Sequence, residues 1–117
     1  MGSEMCIIDR YRPAALSRFK AVVANDGTID AWDNKIAIQS VSHSAISRIV
    51  PAMAPSPKKD EATAEGAVNL PYIMSNRRTA FSDYESPIQV GFWRSVGSSQ
   101  NAFFTESFMD ELSLIHI

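Results

Sequence analysis

From Ala15 to Ala24 the chain alternates: Ala15, Phe19, Ala21 and Val23 fall on one side, Arg18 and Lys20 on the other. A two-residue period of this kind predicts a strand with one buried face. Asn25-Asp26-Gly27-Thr28 follows, and Asp-Gly between alternating segments signals a hairpin, because glycine takes positive φ without a steric penalty. Ile29 to Ser40 supplies the return strand, less cleanly patterned, with Trp32, Ile36 and Ile38 on one face together with Asp30 and Asn34. An antiparallel hairpin is therefore expected.

Beyond Val41 the pattern loosens. Pro51, Pro55 and Pro57 exclude a long helix, so Ala45 to Ile49 is at most a short helical turn. Lys58-Lys59-Asp60-Glu61 reads as a solvated charge run, Glu61 to Val68 as a short helix ending near Asn69, and Leu70-Pro71-Tyr72 as an extended segment. Arg77 to Tyr84 suits a further strand. In the last third, Gly91 and Gly97 bracket Phe92-Trp93-Arg94-Ser95-Val96, and Ser98 or Ser99 is placed to cap a helix from Gln100 to Leu112. Phe104, Phe108 and Leu112 recur at four-residue spacing and form its expected buried stripe. Glu106, Asp110 and Glu111 lie away from that stripe, where acids near a helix C-terminus oppose the dipole. The fold class read from these elements is α+β.

Composition narrows the function classes. At 117 residues, 45% hydrophobic and 21% charged, the chain has the make-up of one ordinary globular core. A net charge of -2 with acids and bases interspersed offers no stripe to track phosphates, so nucleic acid is dropped as a partner. Cys6 is the single cysteine, and His43 and His116 are the only imidazoles, so no cluster has metal-ligand spacing and any metal must arrive inside a cofactor. Apolar runs such as Ala21 to Ala24 are too short to span a bilayer, and no signal-like segment opens the chain.

The stretch from Gly91 to Gly97 is the candidate site. Two glycines let backbone approach a ligand closely, and a helix start just beyond offers N–H groups and partial positive charge to an anionic cofactor. Arg94 adds a cation beside the Trp93 ring. Spacing alone favours the plainer reading of a glycine-containing loop before an amphipathic helix. A hydrolase is excluded at Ser95, because the nucleophile elbow needs glycine where Trp93 stands. His43 in a serine-rich turn reads as a surface or satisfied residue, and Glu106, Asp110 and Glu111 as a solvated face. Trp32 is a core anchor, while Trp93 is the better pocket-lining ring. No catalytic residue and no metal ligand is assigned.

The run Gly91-Phe92-Trp93-Arg94-Ser95-Val96-Gly97-Ser98-Ser99-Gln100-Asn101-Ala102-Phe103-Phe104, continuing through Glu106-Ser107-Phe108-Met109-Asp110-Glu111-Leu112, resembles the large subunit of the isoquinoline 1-oxidoreductase type. That type belongs to the xanthine dehydrogenase and aldehyde oxidase superfamily. Tyr11 to Ala21, Ala31 to Asn34, Glu65-Gly66-Ala67 and Leu70-Pro71-Tyr72 extend the resemblance, in order, from about Glu4 to Leu112. It implies residues 1–112 as a fragment of a molybdenum-cofactor-binding domain, from an oxidoreductase that hydroxylates N-heteroaromatics or aldehydes with water-derived oxygen. The implied cofactor is molybdenum-molybdopterin, in its dinucleotide form. The implied partners are the remainder of the large subunit and a small subunit carrying iron-sulfur clusters. Carried over, Arg94 contacts the molybdopterin with Gly91 and Gly97 beside it, while Trp93 and Val96 face substrate.

Departures refine that picture. Purine-oxidising members carry arginine where Gly66 follows Glu65, so a purine substrate is not expected. Carbon monoxide dehydrogenases carry cysteine where Ser95 stands. The family's general-base glutamate lies beyond this chain, so the fragment is expected to be inactive alone. Ser113-Leu114-Ile115-His116-Ile117 departs from the family helix and reads as a non-native tail, residues 113–117. The compartment stays open between bacterial cytoplasm and periplasm. A rival reading from a different class is a small stand-alone domain binding a partner through the helix face of Phe104 and Phe108.

Overall fold

A computed structural model describes residues 11–56 and 60–115. Cys6, Lys58, Lys59 and His116 therefore lie outside the described residues, as does the resemblance before Tyr11. The element order is β1 (Ala15–Val23), β2 (Ile29–Ile38), α1 (Val41–Ile49), a 3-10 turn (Pro51–Met53), α2 (Glu61–Ala64), β3 (Asn76–Asp83) and α3 (Ser98–Ile115). The three strands form one sheet in the order β1-β2-β3, giving the expected mixed α+β architecture.

The hairpin forms where the alternation places it. β1 and β2 pair antiparallel from Ala15 opposite Ile38 to Val23 opposite Ile29, with an irregularity between Val22 and Val23. The turn closes through Gly27 N donating to Ala24 O at 3.0 Å, and Gly27 takes φ +85, as Asp-Gly requires. Asp26 clamps the turn by accepting from the amide and hydroxyl of Thr28. On β2, Trp32, Asn34, Ile36 and Ile38 are buried, whereas Asp30 on the same face is exposed at the strand end. Ile36 and Ile38 pack with Ala67, and Ala15 packs against them.

β3 joins β2 in parallel, Ala31 opposite Asn76 through Ile38 opposite Asp83. The crossover between them holds α1 and α2. Helix α1 starts four residues earlier than the sequence suggests, because the Ser40 hydroxyl accepts from His43 N at 3.1 Å and caps it. Helix α2 is shorter than expected, four residues capped by Asp60, and turns off before Gly66 at φ +83.

Helix α3 is longer than expected at both ends, and Ser113 continues it with its hydroxyl donating to Asp110 O. Its inward line runs from the buried Asn101 and Thr105 to the half-buried Phe108 and Leu112, and Phe104, expected in the same stripe, is half-buried as well. Phe108 stacks on Phe19 with ring centroids 4.9 Å apart and meets Trp32 edge-on at 5.3 Å. That trio fastens the helix to the sheet, each aromatic pair contributing about 1 kcal/mol beyond area burial. Ser98 and Ser99 lie inside the first turn, and Ser99 donates back to Val96 O, so neither acts as the expected cap.

Thr105 is 1% exposed, and its hydroxyl has no hydrogen-bond partner among the described residues. A buried unpaired hydroxyl costs about 1–3 kcal/mol, whereas a methyl of the same shape costs nothing comparable. Thr105→Val is therefore expected to raise stability by about 1 kcal/mol, read as a higher melting temperature; a loss would show that the hydroxyl is satisfied. No helix among the described residues is long and apolar enough to cross a membrane, and no group of three potential ligands could hold a metal ion.

Candidate functional site

The segment leading into the loop is pinned on two sides. Gly91 N donates to Tyr11 O and Tyr11 N to Gln89 O, which ties residues 89–91 to the start of the described chain. From α1, Arg48 donates to Val90 O at 2.9 Å, and Ser44 bonds both the carbonyl and the amide of Val90. Val90 is consequently buried, and Gly91 with it.

The loop itself then turns sharply. Val96 N donates to Trp93 O and Ser98 N to Ser95 O, and the backbone turns left-handed at Ser95 (φ 69) and Val96 (φ 40). The positive φ thus falls on a serine and a β-branched valine, not on Gly91 or Gly97. A valine there carries strain on the order of 1–3 kcal/mol. Trp93 is half-buried, and the Arg12 guanidinium carbon lies 4.7 Å from the centroid of its ring, a cation–π contact. Arg94 is exposed and makes no hydrogen bond or ion pair with the described residues. Val96 is half-buried.

Gly97 has a packing role in the fold. A Cβ built there would lie 2.3 Å from Ala62 O and 2.7 Å from Thr63 O, so the start of α3 sits directly on the main chain of α2. Asn101 strengthens the same junction, its side-chain amide donating to Thr63 O at 2.9 Å and Glu65 O at 2.8 Å. Gly66 closes it from the other side, with a would-be Cβ 2.9 Å from Ser98 Cα in a left-handed conformation. An arginine at this position would be strained at the backbone and would collide with Ser98.

The most heavily bonded side chain among the described residues stands in none of the candidate motifs. Asp60, expected in a solvated charge run, accepts from the hydroxyls of Ser40 (2.6 Å), Ser42 (2.8 Å) and Thr63, and from the amides of Ser42 (3.0 Å) and Thr63 (3.3 Å). Burial alone would push its carboxyl up. The hydrogen bonds from Ser40, Thr63 and Ser42 outweigh that and hold it below the ordinary value of 3.8. The carboxylate borders a cleft of about 600 Å³ between β3 and α2, with Ile38, Thr79 and Phe81 among its walls. An aspartate just before a short helix was the available signal, since it marks an N-cap. Glu61 remains exposed, as expected.

Of the other acid and imidazole candidates, His43 and Glu106 have local partners. His43 Nδ1 lies 2.9 Å from Pro55 O, which ties α1 to the segment after the 3-10 turn. Glu106 accepts from the Tyr72 hydroxyl at 2.6 Å and raises that phenol's pKa, while Asp110 and Glu111 are exposed. No family model matches the chain, and neither a curated protein nor a solved structure matches it.

Proposed function

We propose that this chain is a piece of the molybdenum-cofactor-binding large subunit of a hydroxylase of the isoquinoline 1-oxidoreductase type, acting on N-heteroaromatics or aldehydes and inactive alone. The observation that carries the proposal from the molecule is unfinished burial. Ile73 is 99% exposed, Ile49 81% and Met53 74%, far more apolar surface than a finished small domain leaves open. The radius of gyration of 16.3 Å also exceeds the about 13 Å of a packed domain this long. Such faces fit contact with the remainder of the large subunit and with its iron-sulfur partner.

In this reading the cofactor supplies two-electron redox chemistry, and the protein supplies position and electrostatics. The free, planar donor set of Arg94 suits a phosphate or other anionic part of molybdopterin dinucleotide. Trp93, its ring held by Arg12, and the strained Val96 stand on either side of that arginine in sequence, which suits a role in lining a substrate pocket. Gly91 and Gly97 act through the chain rather than through the ligand: one is tied to Tyr11, the other seats α3 on α2. The rival, a stand-alone module with an aromatic helix face, has less to offer a partner, since Phe108 is already stacked on Phe19 and set edge-on against Trp32.

The test is autonomy, followed by circular dichroism and calorimetry on the chain as a monomer. The fragment reading expects a broad or absent unfolding transition and then molybdenum in the purified full-length parent. A sharp two-state transition with equal calorimetric and van't Hoff enthalpies would overturn it.

A further inference from the structure

The sheet has two faces, and only one is covered among the described residues. Trp32, Asn34, Ile36 and Ile38 face α3 and the crossover; the opposite face carries Leu16, Arg18, Lys20 and Val22 on β1, Ala31, Asp33, Lys35 and Ala37 on β2, and Arg78 and Ala80 on β3. A parallel strand pair is ordinarily buried on both sides. Here the open side carries alanines toward the two ends of β2, Ala31 and Ala37, and Ala80 in the middle of β3.

The strand period also sorts the charges. Arg18 stands opposite Lys35 and Lys20 opposite Asp33, while Arg78 reaches the same Asp33 at 3.9 Å. One carboxylate thus serves four cations, and Arg18 and Lys35 face each other without an acid between them. Along β1 the order is apolar, cation, cation, apolar: Leu16 at 72% exposure, Arg18, Lys20, Val22 at 58%.

The outer line of α3 carries the complement. Phe103, Glu106, Asp110 and Leu114 are exposed and recur every three or four residues, on the side away from the inward line of Asn101, Thr105, Phe108 and Leu112. Their order is apolar, acid, acid, apolar, with Phe103 at 68% and Leu114 at 71% exposure. At about 1.5 Å per helical residue the stripe runs about 16 Å, close to the about 20 Å from Leu16 to Val22 in a strand.

We infer that a second copy of this chain docks through these two surfaces, the acidic stripe of α3 on one molecule lying across the open basic sheet face of the next. The contact joins unlike patches, so a docked pair still has one free patch of each kind and the association continues head to tail instead of stopping at a pair. A symmetric pairing of β1 with itself about Phe19 would place Arg18 against Lys20 of the other copy, and that repulsion disfavours the alternative. The inference does not depend on the molybdenum reading.

Sedimentation velocity on the full chain, across a concentration series at low and high salt, tests it. The expected result is an average mass that rises with concentration without levelling at a dimer, and that falls at high salt. Arg18→Gln with Lys20→Gln, and separately Glu106→Gln with Asp110→Asn, should each weaken self-association about tenfold or more. Mixed in equal amounts, the two variants should form a closed one-to-one pair, because each retains the patch the other lacks; recovery on mixing also shows that both are folded. A chain that stays monomeric throughout, a plateau at a symmetric dimer, or association indifferent to both neutralisations would overturn the inference, and a foreign acidic peptide that bound the sheet face while the chain remained monomeric would replace it.

Discussion

Gly97→Ala is expected to lower the stability of the chain by about 3 kcal/mol. The added methyl would lie 2.3 Å from Ala62 O and 2.7 Å from Thr63 O, both main-chain atoms that no side-chain rotation can move aside. The start of α3 would have to lift from α2, stretching the two hydrogen bonds that Asn101 gives to Thr63 and Glu65. Backbone overlap of this kind falls at the upper end of overpacking costs, about 1–3 kcal/mol. Gly27→Ala supplies the control. Gly27 has positive φ but nothing within 4 Å of its would-be Cβ, so it should lose only about 1 kcal/mol from conformational strain. Urea titration of the two variants decides the matter: equal losses would mean that α3 does not rest on α2.

Asp60→Asn should cost about 3 kcal/mol at neutral pH and remove part of the acid sensitivity of the fold. Hydrogen bonds to a charged group contribute about 1.5–3 kcal/mol each but do not add, and solvent reaches part of this carboxylate, so the whole node is worth far less than five times one bond. An asparagine keeps one acceptor and turns an N–H₂ group toward hydroxyls and amides that already donate. For the pH dependence, the folded carboxyl titrates below its unfolded value of 3.8. Its stabilisation is therefore complete above the ordinary carboxylate range and is lost as pH falls through the depressed folded value. Denaturation midpoints measured at neutral pH and below the carboxylate range should diverge in the native chain and converge in Asp60→Asn. Midpoints that fall equally with acid in both would assign the sensitivity to other groups.

What the sequence revealed and what it withheld divide along the range of the forces. The hairpin was legible because its information is local, in the alternation from Ala15 to Val23 and the Asp26-Gly27 corner. The early start of α1 was not, since the Ser40 cap draws on Asp60, twenty positions later, and neither residue announces the other. The burial of Asn101 and Thr105 on α3 was not legible either, for a related reason. Asn101 finds two carbonyls at the end of α2, and no local pattern marks a polar residue for that place. At the candidate loop the two glycines signalled close backbone approach, but nothing local showed that Gly97 would meet the main chain of Ala62 and Thr63. The interspersed charges likewise concealed a basic face, because a period of two separates neighbours onto opposite sides of a sheet.

The parallel pairing of β2 with β3 also sets the order in which this chain can fold. β1 and β2 meet across a short turn and close on a microsecond scale, but Ala31 must wait for Asn76, at the far end of a crossover that has first to compact. Until then one edge of β2 stands bare, its amides and carbonyls available to any extended strand that arrives sooner. The Asp60 node should shorten that interval, because it ties Ser40 to Thr63 within the crossover that precedes β3 in the chain. A chain lacking it should therefore lose yield on refolding to aggregation, beyond what its equilibrium stability alone would dictate.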